Sequence, residues 1–203
     1  MMILLWCFLL WNEACCFYFD VSQICLHPLN GLLSGGMAVG DFDVDGLSDF
    51  VVGGVSASNG TNFFLYKQNS SLQFFDITNT VTFPGGLPAG FYDGRPIFVD
   101  VNLDGRTDVF YTGSSSGPGI TDVYLQSATA ASVFYPGTSV CFPAGIPQVG
   151  NSFADFGDFD GDGLWDILLV GMGSPFVLMH QNASKVYTNI AGMRLFQLRS
   201  RSP

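Results

Sequence analysis

The chain has 203 residues, 48% of them hydrophobic and only 12% charged, which supplies ample material for a packed core and excludes a disordered tail. Its 17 acids against 7 bases give a net charge of −10, and a nucleic-acid binder is excluded because the basic cluster it would need is confined to Arg194, Arg199 and Arg201 at the C-terminus. With 16 Asp but one Glu and only 2 Lys, beside 20 Phe, 25 Gly and 10 Pro, the composition is poor in exposed-helix formers and suits short strands joined by tight turns, so the fold class is all-β.

Met1 to Trp11 form an apolar run that Asn12 and Glu13 interrupt, too short for a bilayer span of roughly 20 residues. The run has the length of a signal-peptide core, and Ala14-Cys15-Cys16 offers small residues for cleavage before Phe17, so residues 1–16 read as a signal peptide and 17–35 as a lead-in segment. No Lys or Arg precedes the run, which leaves a buried first strand as the alternative. Three Asn-x-Ser/Thr acceptors, Asn59, Asn69 and Asn182, fit a glycoprotein on a secreted or extracellular-surface route.

From residue 36 onward the sequence repeats. Asp41-Phe-Asp43-Val-Asp45-Gly46-Leu-Ser-Asp49, Asp100-Val-Asn102-Leu-Asp104-Gly105-Arg-Thr-Asp108 and Asp158-Phe-Asp160-Gly-Asp162-Gly163-Leu-Trp-Asp166 start 59 and 58 residues apart. A strand leads into each, at residues 36–40, 95–99 and 152–156. After each comes an apolar run ending at Gly (Gly53, Gly113, Gly171), then an alternating strand ending at Gln (Gln68, Gln126, Gln181), then a short strand near Phe74, Phe134 and Tyr187. Four short strands per unit are the content of one β-propeller blade, so three blades of antiparallel strands are expected at about 36–90, 91–150 and 151–203. The apolar run after each loop is expected to be buried on both faces.

The loops explain the preference for aspartate. In Asp-x-Asp-x-Asp-Gly-x-x-Asp, positions 1, 3 and 5 can turn short carboxylates onto one cation, the Gly permits a sharp bend and position 7 lends a carbonyl. The candidate side-chain ligands are Asp41, Asp43, Asp45 and Asp49; Asp100, Asn102, Asp104 and Asp108; and Asp158, Asp160, Asp162 and Asp166, with carbonyls from Leu47, Arg106 and Leu164. An all-oxygen cage favours Ca2+, up to three ions in a structural role, since a filled cage leaves little room for a substrate. An EF-hand is ruled out: its twelfth position should be Glu, and here it is Val52, Tyr111 or Leu169. With Asn102 replacing a carboxylate, the second loop is expected to bind most weakly.

Val39-Gly40-Asp41 through Gly53, with the two strands that follow it to Thr78, resembles the FG-GAP/VCBS repeats of integrin alpha-chain propellers and of many secreted repeat proteins, over about residues 36–190. The resemblance implies the blade fold and the calcium loops at the positions named above, but not integrin-like ligand binding, for which no matching motif occurs. Such propellers usually close with about seven blades; three make a partial or truncated propeller that needs missing blades or self-association to cover its open faces. Cys25 and Cys141 then fall in non-adjacent units, farther apart than a disulfide's Cα limit of about 7 Å, and are expected to be free or intermolecular thiols.

No catalytic motif occurs: neither His27 nor His180 stands in a recognisable catalytic setting, and Asp93, Asp122 and Asp155 read as turn or strand-end residues. Tyr66, Tyr92, Trp165 and Tyr187 could form a sugar-binding surface but read more readily as core. The leading function is a non-catalytic, calcium-stabilised binding or adhesion module, secreted or at the cell surface, with a protein or glycan ligand. An accessory propeller segment of a larger secreted enzyme and a lectin-like glycan-binding repeat protein are the alternatives.

Overall fold

A computed structural model describes residues 32–56, 60–83, 88, 90–114, 119–172 and 174–190. The leader at residues 1–16, the lead-in up to residue 31, Cys25, His27, Asn59 and the C-terminal arginines lie outside the described residues.

The twelve described strands form three antiparallel four-stranded sheets, each built from consecutive strands. The first blade is β1 (Leu32–Gly40), β2 (Asp49–Ser56), β3 (Gly60–Gln68) and β4 (Phe74–Asp76). The second is β5 (Tyr92–Val99), β6 (Asp108–Ser114), β7 (Gly119–Gln126) and β8 (Phe134–Pro136), followed by a single helical turn, α1 (Thr138–Cys141), which was not anticipated from the sequence. The third is β9 (Gly150–Gly157), β10 (Asp166–Met172), β11 (Ser174–Gln181) and β12 (Tyr187–Asn189). The pairs Gly40–Asp49, Val99–Asp108 and Gly157–Asp166 close the Asp-rich loops, so each loop is the connection between the first and second strands of a blade. Among the described residues no helix is long and apolar enough to cross a membrane.

The blades stack in chain order, with β5 beside both β1 and β9. Strand alternation sends one face of each sheet toward the preceding blade and the other toward the following one. The first interface packs Val51, Phe63 and Leu65 of the first blade against Val109, Tyr111 and Tyr124 of the second. The next packs Phe110 and Val123 of the second blade against Ala154, Ile167, Leu169 and Met179 of the third, with Cys141, Phe142 and Tyr187 closing its outer edge. At roughly 1.5–3 kcal/mol for each large apolar side chain fully buried, these two interfaces dominate the stability of the stack. Glycine allows the closest approach: a Cβ on Gly36 would lie 2.3 Å from the Gly94 carbonyl oxygen, so β1 and β5 could not meet there with any other residue.

Of the four aromatics read as core, Tyr66 and Tyr187 are buried and Tyr92 is half-buried, whereas Trp165 is 42% exposed. Asp93 lies at the start of β5, a strand end as expected, but Asp122 and Asp155 lie inside strands β7 and β9. Cys141 is unbonded and 1% exposed, and burial, the main cause, with help from Asp108 and Asp104, pushes its thiol up to about 12.

One expectation holds only for the middle blade. Every residue of β6 is buried, but β10 leaves Val170 and Met172 open at 42% and 67% exposure, beside Phe153 and Phe176. The physical reason is that β6 is sandwiched between two blades, whereas no described residue covers the far face of the third. Met37 and Val39 are similarly open on the first.

A polar latch also crosses each interface. Gln126 Nε2 donates to the Phe42 carbonyl and Gln181 Nε2 to the Val101 carbonyl, both at 2.8 Å, and both glutamines are buried. Each therefore ties its own blade to the Asp loop of the blade before it. Gln181→Leu should lower unfolding free energy by about 1 kcal/mol in urea denaturation while leaving the far-ultraviolet spectrum unchanged, because the Val101 carbonyl keeps only the Tyr187 hydroxyl as donor and the Trp165 N–H loses its acceptor, Gln181 Oε1.

Candidate metal loops

Each loop is organised by its first aspartate. Asp41 accepts the N–H groups of Asp45 at 3.0 Å and Gly46 at 2.8 Å, Asp100 those of Asp104 at 2.9 Å and Gly105 at 2.7 Å, and Asp158 those of Asp162 at 3.0 Å and Gly163 at 2.9 Å. These bonds curl the backbone around the carboxylate. The curl requires left-handed backbone at position 6, where Gly46, Gly105 and Gly163 have φ of 86°, 85° and 85°. Position 4 is left-handed too, occupied by Val44 at φ 60° and Leu103 at φ 52°, with glycine, Gly161, only in the third loop. A β-branched valine in this region is strained, which marks the loop geometry as imposed by the aspartate bonds.

The last aspartate has a different part. Asp49, Asp108 and Asp166 are 0%, 0% and 2% exposed. In each, one oxygen accepts the N–H of position 2 (Phe42 at 3.2 Å, Val101 at 3.0 Å, Phe159 at 3.1 Å). The other accepts the N–H of the glutamine ending the third strand (Gln68 at 2.9 Å, Gln126 at 2.8 Å, Gln181 at 2.9 Å). Burial raises the Asp49 carboxyl above the usual carboxylate range and pushes Asp108 up to about 7, against these stabilising backbone bonds. In the third loop burial also raises Asp160, with Asp162 adding to it. Concentrated, partly desolvated negative charge of this kind calls for a cation.

The structure brings ligand atoms of Asp41, Asp43 and Asp45 within 4.8 Å of one another, and likewise those of Asp158, Asp160 and Asp162. Asp160 and Asp166 form a further group with His180, whose Nδ1 is 3.0 Å from Asp166 Oδ1 and 3.6 Å from Asp160 Oδ2. In the second loop Asn102 takes the place of a carboxylate at position 3. Two oxygens at this third position, Asp43 Oδ1 and Asn102 Oδ1, are buried without a hydrogen-bond partner. Hard oxygen donors left unsatisfied where the side chains converge fit a Ca2+ ion. Leu47, Arg106 and Leu164 occupy position 7, and their N–H groups bond the position-5 carboxylates of Asp45, Asp104 and Asp162.

Sequence reasoning missed the basic partners and the latch. Lys67 donates to Asp43 and Asp45, Arg106 to Asp104, and His180 faces Asp160 and Asp166. Lys67 and His180 occupy the same place one residue before the repeated glutamine, so repetition of that glutamine was the available signal for both. In metal-free protein Asp108→Ala should cost about 2–5 kcal/mol, since two buried N–H groups lose their acceptor, while Asp45→Ala on the exposed rim should cost clearly less. Chemical denaturation in the presence of a chelator measures both.

The comparisons with known proteins agree with this architecture. The model of the FG-GAP-like repeat matches residues 100–169, from the first residue of the second loop to the strand after the third. The chain is 32% identical over 158 residues to integrin alpha pat-2 of Caenorhabditis briggsae, an alignment that covers 68% of this chain and 12% of that relative. The chain thus spans about an eighth of the relative's length. Three blades of this form, each carrying the Asp-rich loop between its first two strands, belong to the FG-GAP repeat family.

Proposed function

We propose that the chain is a calcium-stabilised, non-catalytic binding or adhesion module of FG-GAP/VCBS type, acting on the extracellular side. The observation that carries this reading is the threefold recurrence of a carboxylate loop with buried oxygens that lack a hydrogen-bond partner in the first two copies. Asp43, Asp45, Asn102, Asp104, Asp160 and Asp162 would supply the inward oxygens, with the first and last aspartates of each loop and the position-7 carbonyls completing the cages. Bound calcium would supply charge neutralisation and a cross-link between loop residues. The protein's own part is to hold the loops open: position 1 fixes the curl, and position 9 anchors the curl to the third strand.

Repetition argues against a catalytic use of these carboxylates, since an active site is built once and a structural device in every unit. The partner, a protein or a glycan, would meet loops carried on this frame. Calcium should raise the melting temperature and chelator lower it, by about 2.7 kcal/mol per site at a hundredfold excess over Kd. No shift in either direction would remove calcium from the reading.

The extracellular assignment has its own support in Asn69 and Asn182, which sit in equivalent turns between the third and fourth strands. Asn69 Oδ1 accepts the N–H groups of Ser71 and Gln73, and Asn182 Oδ1 those of Ser184 and Val186, so each side-chain carbonyl is used by its turn. Expression through a secretory pathway should yield glycan at both, seen as a mass reduced by glycosidase and, in part, by Asn182→Gln. An unmodified product would count against secretion.

A further inference from the structure

We propose that Lys67 is a tethered cation resident in the first loop, which therefore takes a divalent ion only by displacing the ammonium. Lys67 Nζ donates to Asp43 Oδ2 and, at 2.7 Å, to Asp45 Oδ2, two of the carboxylates that would face a metal. It lies 5.9 Å from the centre of the Phe42 ring, an attractive position for a cation. Its backbone cannot drift, because the next residue, Gln68, donates its N–H to the buried Asp49 carboxylate of the same loop. The ammonium thus bridges two carboxylates at the mouth of the loop, held from both the side-chain and the backbone end.

The other loops are arranged differently. Leu125 stands at the corresponding place in the second blade and His180 in the third. In the second loop the cation is Arg106, from the loop itself, which reaches Asp104 alone while its Nε is turned onto the Gln126 carbonyl at 3.2 Å and Asn102 Oδ1 keeps no partner. In the third loop the nitrogen is that of an imidazole, a side chain that can itself ligate a metal. One ammonium among four carboxylates does not saturate the first loop, since Asp43 Oδ1 keeps no partner, so displacement stays within reach of a divalent ion. The bond to be broken is a partly exposed ion pair, with Lys67 at 33% exposure.

The inference rests on the calcium reading and is tested apart from it by calorimetric calcium titration of the intact chain, its Lys67→Met and Lys67→Arg variants and the Lys67→Met/Asp43→Asn double variant. Removing a fixed positive charge a few ångströms from the ion should tighten the first loop at least ~10-fold, so that Lys67→Met gains a site that the wild type and Lys67→Arg fill only weakly, and the double variant loses it again. Titrations of Lys67→Met and wild type that superimpose overturn the proposal while the calcium reading stands. No calcium binding by any variant overturns both. Independently of metal, Asp43→Asn in chelator should lower the melting temperature of the wild type more than that of Lys67→Met; equal shifts would show that the ammonium does not hold the loop.

Discussion

Everything in this protein hangs on a carboxylate placed where carboxylates are least at home. Asp49, Asp108 and Asp166 are buried at the first residue of each second strand, and each is satisfied by two backbone N–H groups, one from its own loop and one from the end of the neighbouring third strand. The bond to the loop fixes where the Asp-rich segment starts; the bond to the third strand fixes how that segment sits on the blade. A shorter reach than glutamate's is needed for both, which gives the aspartate excess a local geometric cause as well as an electrostatic one.

The loops are not isolated ornaments at the rim. The carbonyl at position 2, whose own N–H is held by the buried aspartate, accepts the glutamine of the following blade, so the order of one loop and the seating of the next blade are a single hydrogen-bonded unit. A cation bound in a loop would therefore act on the joint between blades as well as on the loop itself. The loop carboxylates face three different nitrogen groups, an amine, a guanidinium and an imidazole, which makes three similar loops unequal.

Much of this was legible in the residues. Strict spacing of the loops gave the number of blades, the alternating strands gave their faces, and Gly at position 6 announced the left-handed turn observed there. What could not be read was anything requiring contact between units. Gln126 and Gln181 repeat visibly, yet only packing one blade on another brings each within 2.8 Å of a loop carbonyl 84 or 80 residues earlier in the chain. Lys67 looked like one polar residue of an alternating strand, because its partners lie across a hairpin loop. The helical turn at Thr138–Cys141 escaped notice since four residues carry no periodicity. The open face of β10 differs from the covered face of β6 by neighbourhood alone, for the open run, Ile-Leu-Leu-Val, is the more apolar of the two.

That difference in covering carries a directional meaning. Val109 and Tyr111 face the preceding blade and their counterparts Ile167 and Leu169 do the same, so every joint in the stack sets the forward face of one blade on the rear face of the next. The exposed face of the first blade is a rear face and that of the third a forward face, two unlike halves of a joint already made twice. Pairing like with like across a twofold axis has no precedent in the molecule, whereas head-to-tail addition reproduces a contact it already contains. The stack is thus polar, like a segment of an arrow, and any further blades, from this chain or another, must be added in the same sense.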